Sequence, residues 1–203
     1  MNSQTRLIMD ENNRSMVTGS VLRGIKLGVA GLFLFFVHRF FRPFWYSYRI
    51  NLWLIDEKDY VQSFTKSVSP WGSFEFEIDL SGDGVPNMII KNRSFRSPII
   101  IVGSYEFDPG LLASIMENPT KQQALKDEIQ YGLSNAPGIY SFIDEHGQIC
   151  HFEKAREFKM EYRLYPGGVN QHNLINGIIE LASALKFIRQ REQNLSDELL
   201  EGR

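Results

Sequence analysis

The chain has 203 residues, of which 43% are hydrophobic and 23% are charged. This composition excludes a wholly disordered protein and is sufficient for one folded domain with an extension. The net charge of −2 conceals an asymmetry, because residues 1–49 contain seven basic and two acidic residues, whereas the remainder contains 15 basic and 22 acidic ones. The acidic body excludes nucleic acid as a main ligand, and the basic N-terminal arm predicts contact with an anionic surface such as lipid head groups.

The first predicted element is a hydrophobic segment, residues 21–50, which follows a polar stretch over residues 1–20 that we expect to be mobile. Leu27–Val37 is an apolar run of 11 residues. As a helix it covers roughly 16 Å, about half of a ~30 Å hydrocarbon core. Leu22–Phe41 extends this window to 20 residues, with its charges near the two ends. Long basic side chains at such positions reach outward to the head groups.

We predict that this segment is a membrane anchor or an embedded interfacial helix. Aromatic residues cluster at its C-terminal end, as they do at head-group level, and Pro43 is expected to end the helix. The predicted membrane contacts are Leu27, Leu32, Phe33, Phe35, Phe36, Phe40, Phe41, Phe44 and Trp45, and the predicted basic collar is Arg23, Lys26, Arg39 and Arg42. Membrane lipid is therefore an expected partner, and the acidic body is expected on the cytoplasmic side.

Two other interpretations of the segment stay open: a helix buried against a partner subunit, and a removed targeting signal. A helix lying flat on a membrane needs one polar stripe, but Lys26 and Arg39 are separated by about 220° around a helix axis. A cleaved signal needs small residues at its cleavage site, whereas Val37 is followed by bulky and basic residues. The pattern favours an anchor that is not cleaved.

The first half of the body is predicted to contain a helix and three strands. A helix is expected over Asp56–Val68, where apolar residues recur at helical spacing. The stretch SFEFEIDL then alternates apolar and acidic residues, which is typical of a half-buried strand. Met88–Ile90 and Ile99–Val102 predict two further strands, and the β-branched run of the second one suits a central position.

The second half begins with an interrupted helix. Asp108 and Pro109 predict its capped start, Pro119 interrupts it, and Thr120 is expected to cap the stretch that follows. Three strands are predicted next, over Ile139–Ile143, Ile149–Phe152 and Glu157–Tyr165. A final amphipathic helix is expected from about Asn170.

The predicted order is α-β-β-β-α-β-β-(β)-α, preceded by the hydrophobic N-terminal helix. Clustered strands and an interrupted central helix predict an α+β fold, with an antiparallel sheet that carries its helices on one face. The expected divisions are a polar N-terminus (1–20), the membrane segment (21–50), the α+β domain (51–193) and a C-terminal tail (194–203).

This order resembles the class I type III secretion chaperone-like fold. Within that fold the chain is most similar to a family of small prokaryotic proteins of unknown function. The similarity covers roughly Asp56–Arg191 and lies in the segments IIIVGSYEFDPGLL, EYRLYPGG and NLINGIIELASALKFIRQ. Chaperones of this class are dimers that hold unfolded protein segments, so the resemblance implies a protein-binding role and a homodimer. The hydrophobic N-terminal segment departs from their pattern.

No combination of side chains in the sequence predicts a reaction. His146, Cys150 and His151 suggest a metal or a nucleophile, but neighbours on a strand point to opposite faces and a fourth ligand is missing. The segment DLSGDG lacks the spacing of a calcium loop, and the acidic residues of SFEFEIDL are typical of a solvated face. We therefore predict no metal, no cofactor and no enzymatic activity.

The expected function is a membrane-tethered protein-binding or assembly module, with a homodimer formed through the central or the C-terminal helix. The alternative is a structural accessory subunit of a large membrane complex. An uncharacterised enzyme comes third.

Overall fold

The computed structural model describes residues 28, 31–32, 41–82, 86–94, 97–134, 136 and 138–201. Within these residues, four helices and seven strands form an α+β fold, which confirms the predicted class. The elements in chain order are α1 (residues 41–56), β1 (Val61–Val68), β2 (Phe74–Leu80), β3 (Met88–Asn92), β4 (Ile99–Glu106), α2 (Pro109–Met116), α3 (Pro119–Leu133), β5 (Ile139–Ile143), β6 (Ile149–Cys150), β7 (Glu157–Leu164) and α4 (Gln171–Glu201).

One antiparallel sheet organises the body, with the strand order β1-β2-β3-β4-β7-β5-β6. The first four strands pair with their neighbours in sequence, and β7 then lies next to β4. β4 and β7 pair along their whole lengths, from Ile99 opposite Leu164 to Glu106 opposite Glu157. β7, which the predicted order gives in parentheses, is thus an inner strand of the sheet.

The helices lie on one face of this sheet, as predicted, and cover the hydrophobic core. α4 packs on β4 and β7, and the approach is close, because a Cβ added at Gly103 would lie 2.5 Å from Cδ1 of Leu185. The alternation predicted for β2 is confirmed, since its acidic residues face away from the helices. Its core residues are Phe74, Phe76, Ile78 and Leu80.

Helix α1 packs on the same core. Ile50, Trp53 and Leu54 are buried in it, so the helix crosses the border drawn from the sequence between residues 50 and 51. The expectation that Pro43 ends the helix is wrong, because α1 continues to residue 56. A proline disturbs the turn before it, by its missing N–H and its ring, but the residues after it can still donate their hydrogen bonds.

The helix predicted over Asp56–Val68 is wrong for most of that range, because residues 61–68 form β1. The apolar residues do recur at intervals of three and four, but the segment also contains two serines, a threonine and two valines. β1 pairs with β2 along its length, with a bulge near its start. Pairing with a neighbouring strand therefore outweighs the helical spacing.

The interrupted central helix is confirmed, and each half is capped. The Asp108 carboxylate accepts hydrogen bonds from the backbone N–H groups of Gly110 (2.8 Å) and Leu111 (2.9 Å). The second cap is Asn118, whose side chain accepts from the N–H of Thr120 (3.1 Å), so the cap predicted at Thr120 lies two residues too late. Asn118 precedes a proline at the first helical position, as Asp108 does.

The last helix is longer than the sequence suggests. α4 begins at Gln171 and continues to Glu201, through most of the expected tail. Leu195, within that range, is buried in the core. Leu195 therefore extends the packed part of α4 past the border predicted at residue 193.

Candidate functional site

Helix α1 has two apolar faces, and only one of them is covered by the body. Pro43, Ser47, Ile50, Trp53 and Leu54 are buried. The opposite side carries large exposed hydrophobic residues at helical spacing, which we call the outward face. Its members are Phe41, Phe44, Trp45, Tyr48, Leu52 and Ile55. A contiguous exposed patch of this kind marks a site of protein or membrane contact.

Two arginines border the outward face and lie over aromatic rings. The guanidinium carbon of Arg49 is 5.6 Å from the ring centroid of Trp45 and 5.3 Å from that of Trp53. Arg42 donates a 2.9 Å hydrogen bond to the Tyr46 hydroxyl, which in turn donates to the carbonyl oxygen of Pro166 at 3.0 Å. These contacts hold two positive charges beside the exposed rings.

Part of the predicted membrane-contact set lies in the described residues. Leu32, Phe41, Phe44 and Trp45 are exposed, and Arg42 is half-buried on Tyr46. Among the described residues, no helix is long and apolar enough to cross a membrane. The remaining predicted residues lie outside the described ones, namely Leu27, Phe33, Phe35, Phe36, Phe40, Arg23, Lys26 and Arg39.

The turn between β1 and β2 lies against the start of α1. A Cβ added at Gly72 would be 3.1 Å from Cβ of Pro43 and 3.7 Å from Cε2 of Phe44. Gly72 also has a φ of +85°, a conformation that favours glycine. Trp71 is the residue before it, and its side chain is 91% exposed. The turn therefore places an exposed indole close to the outward face.

A cleft of about 390 Å³ adjoins this turn. Its polar lining includes three serine hydroxyls, the side chains of Lys91 and Arg93, and the Glu75 carboxylate. The serines are Ser67, Ser69 and Ser73. The sequence reasoning missed this cleft, because the three strands and turns that form it are brought together only by the sheet.

A buried carboxylate was also missed. Glu192 on α4 is only 2% exposed. It accepts hydrogen bonds from the Tyr105 hydroxyl and from the backbone N–H of Asp108 (2.8 Å). It thereby ties α4 to the end of β4 and to the cap of α2. The sequence carried a signal, since Glu192 continues the apolar stripe of α4 four residues after Ile188.

Burial changes the titration of this pair. Desolvation raises the pKa of the Glu192 carboxyl above its usual value, although the hydrogen bonds from Tyr105 and Asp108 act in the opposite direction. Burial, followed by the interaction with Glu192, raises the pKa of the Tyr105 hydroxyl above its usual range. In both groups burial therefore shifts the titration towards the protonated form, because an apolar environment penalises the charged one.

The side chains that suggested a metal or a nucleophile are not brought together. Cys150 is half-buried on β6, and desolvation raises the pKa of its thiol, which disfavours the reactive thiolate. His146 is exposed and lies beside Glu145 (3.5 Å), and His151 begins a short 3₁₀ turn. Within the described part of the chain, no group of three or more His, Cys, Asp or Glu side chains is placed to hold a metal ion.

Comparisons with known proteins give little beyond these observations. No family model matches the chain, and no curated protein matches it. The crystal structure of an uncharacterized protein from Methanothermobacter thermautotrophicus is similar, with 14% sequence identity and a TM-score of 0.48. The match covers 77% of this chain and 97% of the archaeal one. The predicted resemblance to secretion chaperones stays a prediction.

Proposed function

We propose that the protein is a membrane-tethered, non-enzymatic module that binds another protein. The observation that supports the tether best is the outward face of α1, which exposes four aromatic and two aliphatic side chains. Trp45, at its centre, is 57% exposed. Such a face does not stabilise the protein while it is exposed to water, whereas a partner that covers it would remove its apolar area from water.

The chemistry of the outward face favours lipid as this partner. Aromatic rings with a polar edge, such as those of Trp45 and Tyr48, are preferred at the boundary between hydrocarbon and water. Arg42 and Arg49 add positive charge beside these rings, where anionic head groups would meet them. In the sequence, the apolar run Leu27–Val37 precedes this helix directly.

Two surfaces of the body are candidates for the protein partner. On the helix-free face of the sheet, Ile89 lies opposite Val102, and Ile139 is exposed farther along the same row, beyond the charged Glu161. A groove of about 450 Å³ between α3 and α4 is lined by Tyr131 and Phe187 among others. Aromatic grooves of this kind are typical of interface centres. This groove is where we place the homodimer contact.

We place the body on the cytoplasmic side of the membrane. Cys150 is the single cysteine of the chain and is free. A protein with no disulfide framework fits a reducing compartment.

Vesicle sedimentation tests the tether. We expect the full-length protein to sediment with vesicles of phosphatidylcholine mixed with phosphatidylserine. Trp45→Ala combined with Tyr48→Ala is expected to lower binding by more than about tenfold, because both rings leave the outward face. Ile149→Ala is the matched control, since Ile149 is a large apolar residue, 79% exposed, on β6 at the other edge of the sheet. Absence of the wild-type protein from the vesicle pellet would contradict the tether.

The second candidate is a structural accessory subunit of a large membrane complex. The far end of the outward face favours it, because Leu52 and Ile55 are aliphatic and the acidic Asp56 follows. Aliphatic residues beside an acidic one are less suited to anionic lipid than to a protein neighbour. Sizing of the native protein in mild detergent, with mass spectrometry of the co-eluting chains, separates the two. A small species supports the tethered module, and a defined large assembly supports the subunit.

A further inference from the structure

We propose that the β1–β2 turn is a second membrane contact, so that the body docks end-on, with Trp71 in the interface and the adjoining basic cleft against anionic head groups. This inference rests on the proposed tether. In addition, it specifies which end of the folded body meets the lipid.

The turn holds the Trp71 side chain outward with a defined backbone. The N–H of Gly72 donates to the carbonyl oxygen of Ser69 (3.0 Å), and the N–H of Trp71 donates to the Ser69 hydroxyl (3.1 Å). The N–H of Ser69 donates to the carbonyl oxygen of Ser73 (2.8 Å), which closes the turn. An indole presented in this way makes almost no contact with its own fold. Its amphipathic ring suits the membrane interface.

The turn and the outward face of α1 lie at the same end of the body. Gly72 approaches both Pro43 and Phe44, and Phe44 belongs to the outward face. One flat surface can therefore contact Trp71 and the first two turns of α1 together. Because those turns follow the apolar run Leu27–Val37 in sequence, a bilayer that holds this run would lie next to the same end.

Charge at the two ends of α1 gives the docking a direction. The cleft beside the turn carries Lys91 and Arg93 with three serine hydroxyls, against the single carboxylate of Glu75. Hydroxyl and cationic groups are suitable donors to phosphate oxygens. The end of α1 and the chain after it are net acidic, with Asp56, Glu57 and Asp59 around the single basic residue Lys58. At a rise of 1.5 Å per residue, this acidic end lies roughly 20 Å from the start of the helix.

An anionic membrane therefore attracts the Trp71 end of the body and repels the acidic end. A protein partner would not require this polarity. The exposed tryptophan of the turn, the basic cleft and the separation of basic from acidic residues all favour a bilayer with anionic lipid as the partner of this surface.

Quenching by brominated lipids tests the contact directly. In the full-length protein, Trp45→Phe and Trp53→Phe leave Trp71 as the single tryptophan. We expect vesicles of brominated phosphatidylcholine and phosphatidylserine to quench its emission. The matched control moves the single tryptophan to β6, at the sheet edge opposite β1, by adding Trp71→Phe and Ile149→Trp. The control emission is expected to be unchanged by the same vesicles.

Vesicle binding of variants with one surface substitution each gives a second readout, which requires no substitution in the core. Trp71→Ala is expected to weaken vesicle binding by on the order of tenfold, since an apolar ring leaves the interface. Lys91→Ala and Arg93→Ala are each expected to weaken binding by about fivefold, and only on vesicles with phosphatidylserine.

The outcomes separate this inference from the tether on which it rests. If the wild-type protein sediments with vesicles but Trp71 is not quenched and Trp71→Ala binds normally, end-on docking is overturned and the tether stands. If the wild-type protein does not sediment, both are overturned. Quenching of Trp71 with a weakened Trp71→Ala variant supports both.

Discussion

Two leucines on α1 separate the structural role of this helix from its surface role. Leu54 is 1% exposed and Leu52 is 38% exposed, although they are two residues apart. Leu54→Ala removes three carbon atoms from the packed core and leaves a cavity, which costs about 3–5 kcal/mol. Leu52→Ala changes a partly solvated position and is expected to cost less than about 1 kcal/mol. Because domains of this size are stable by about 5–15 kcal/mol, the first loss is a large fraction of the total.

Urea unfolding of the full-length variants, followed by circular dichroism in one fixed detergent, measures this difference. With a slope of about 2 kcal/mol/M, Leu54→Ala should lower the midpoint by roughly 1.5–2.5 M, and the slope should stay unchanged. Leu52→Ala should leave the midpoint within about 0.5 M of the wild-type value. Equal shifts for the two variants, or no shift for Leu54→Ala, would show that α1 is not part of the folded core.

Two other substitutions test the packing beneath the sheet. Burial raises the pKa of Glu192 above its usual value of 4.5, so the folded state binds the proton more tightly and stability falls as pH rises from that value to the raised one. Thermal melts of Glu192→Gln should lose this slope, and an unchanged slope would assign it to other groups. Gly177→Ala would place a Cβ 2.6 Å from the Tyr162 ring and 2.9 Å from Cδ1 of Ile101, which should cost about 1–3 kcal/mol. Gly167→Ala, with no atom within 4 Å, should melt like the wild type.

The elements predicted well are those with a strong local pattern. β2 alternates apolar and acidic residues, and the cap at Asp108 is followed by a proline. Each element can therefore be recognised from a few neighbouring residues. β1 was mistaken for a helix because its apolar spacing matches a helix as well as an edge strand. Only its pairing with β2, a contact between segments, decides between them.

The role of α1 could not be decided from its own residues. Aromatic and aliphatic side chains occupy both of its faces, and so periodicity alone does not tell which face the body covers. The structure resolves this by burying Trp53 and exposing Trp45. For Glu192 the difficulty was different. A charged residue is expected at the surface, but this one lies in the buried stripe of α4.

The position of β7 in the sheet affects the order in which the chain can fold during synthesis. The first four strands are complete at Glu106, but the strand that extends their sheet and the helix that covers it come later, up to Glu201. At 5–20 residues per second, the ribosome needs roughly 5–20 s to make the intervening segment. During this interval the part of their apolar face that α4 covers stays exposed, although α1 has already been made. A nascent chain of this protein is therefore expected to depend on chaperones until its last helix emerges.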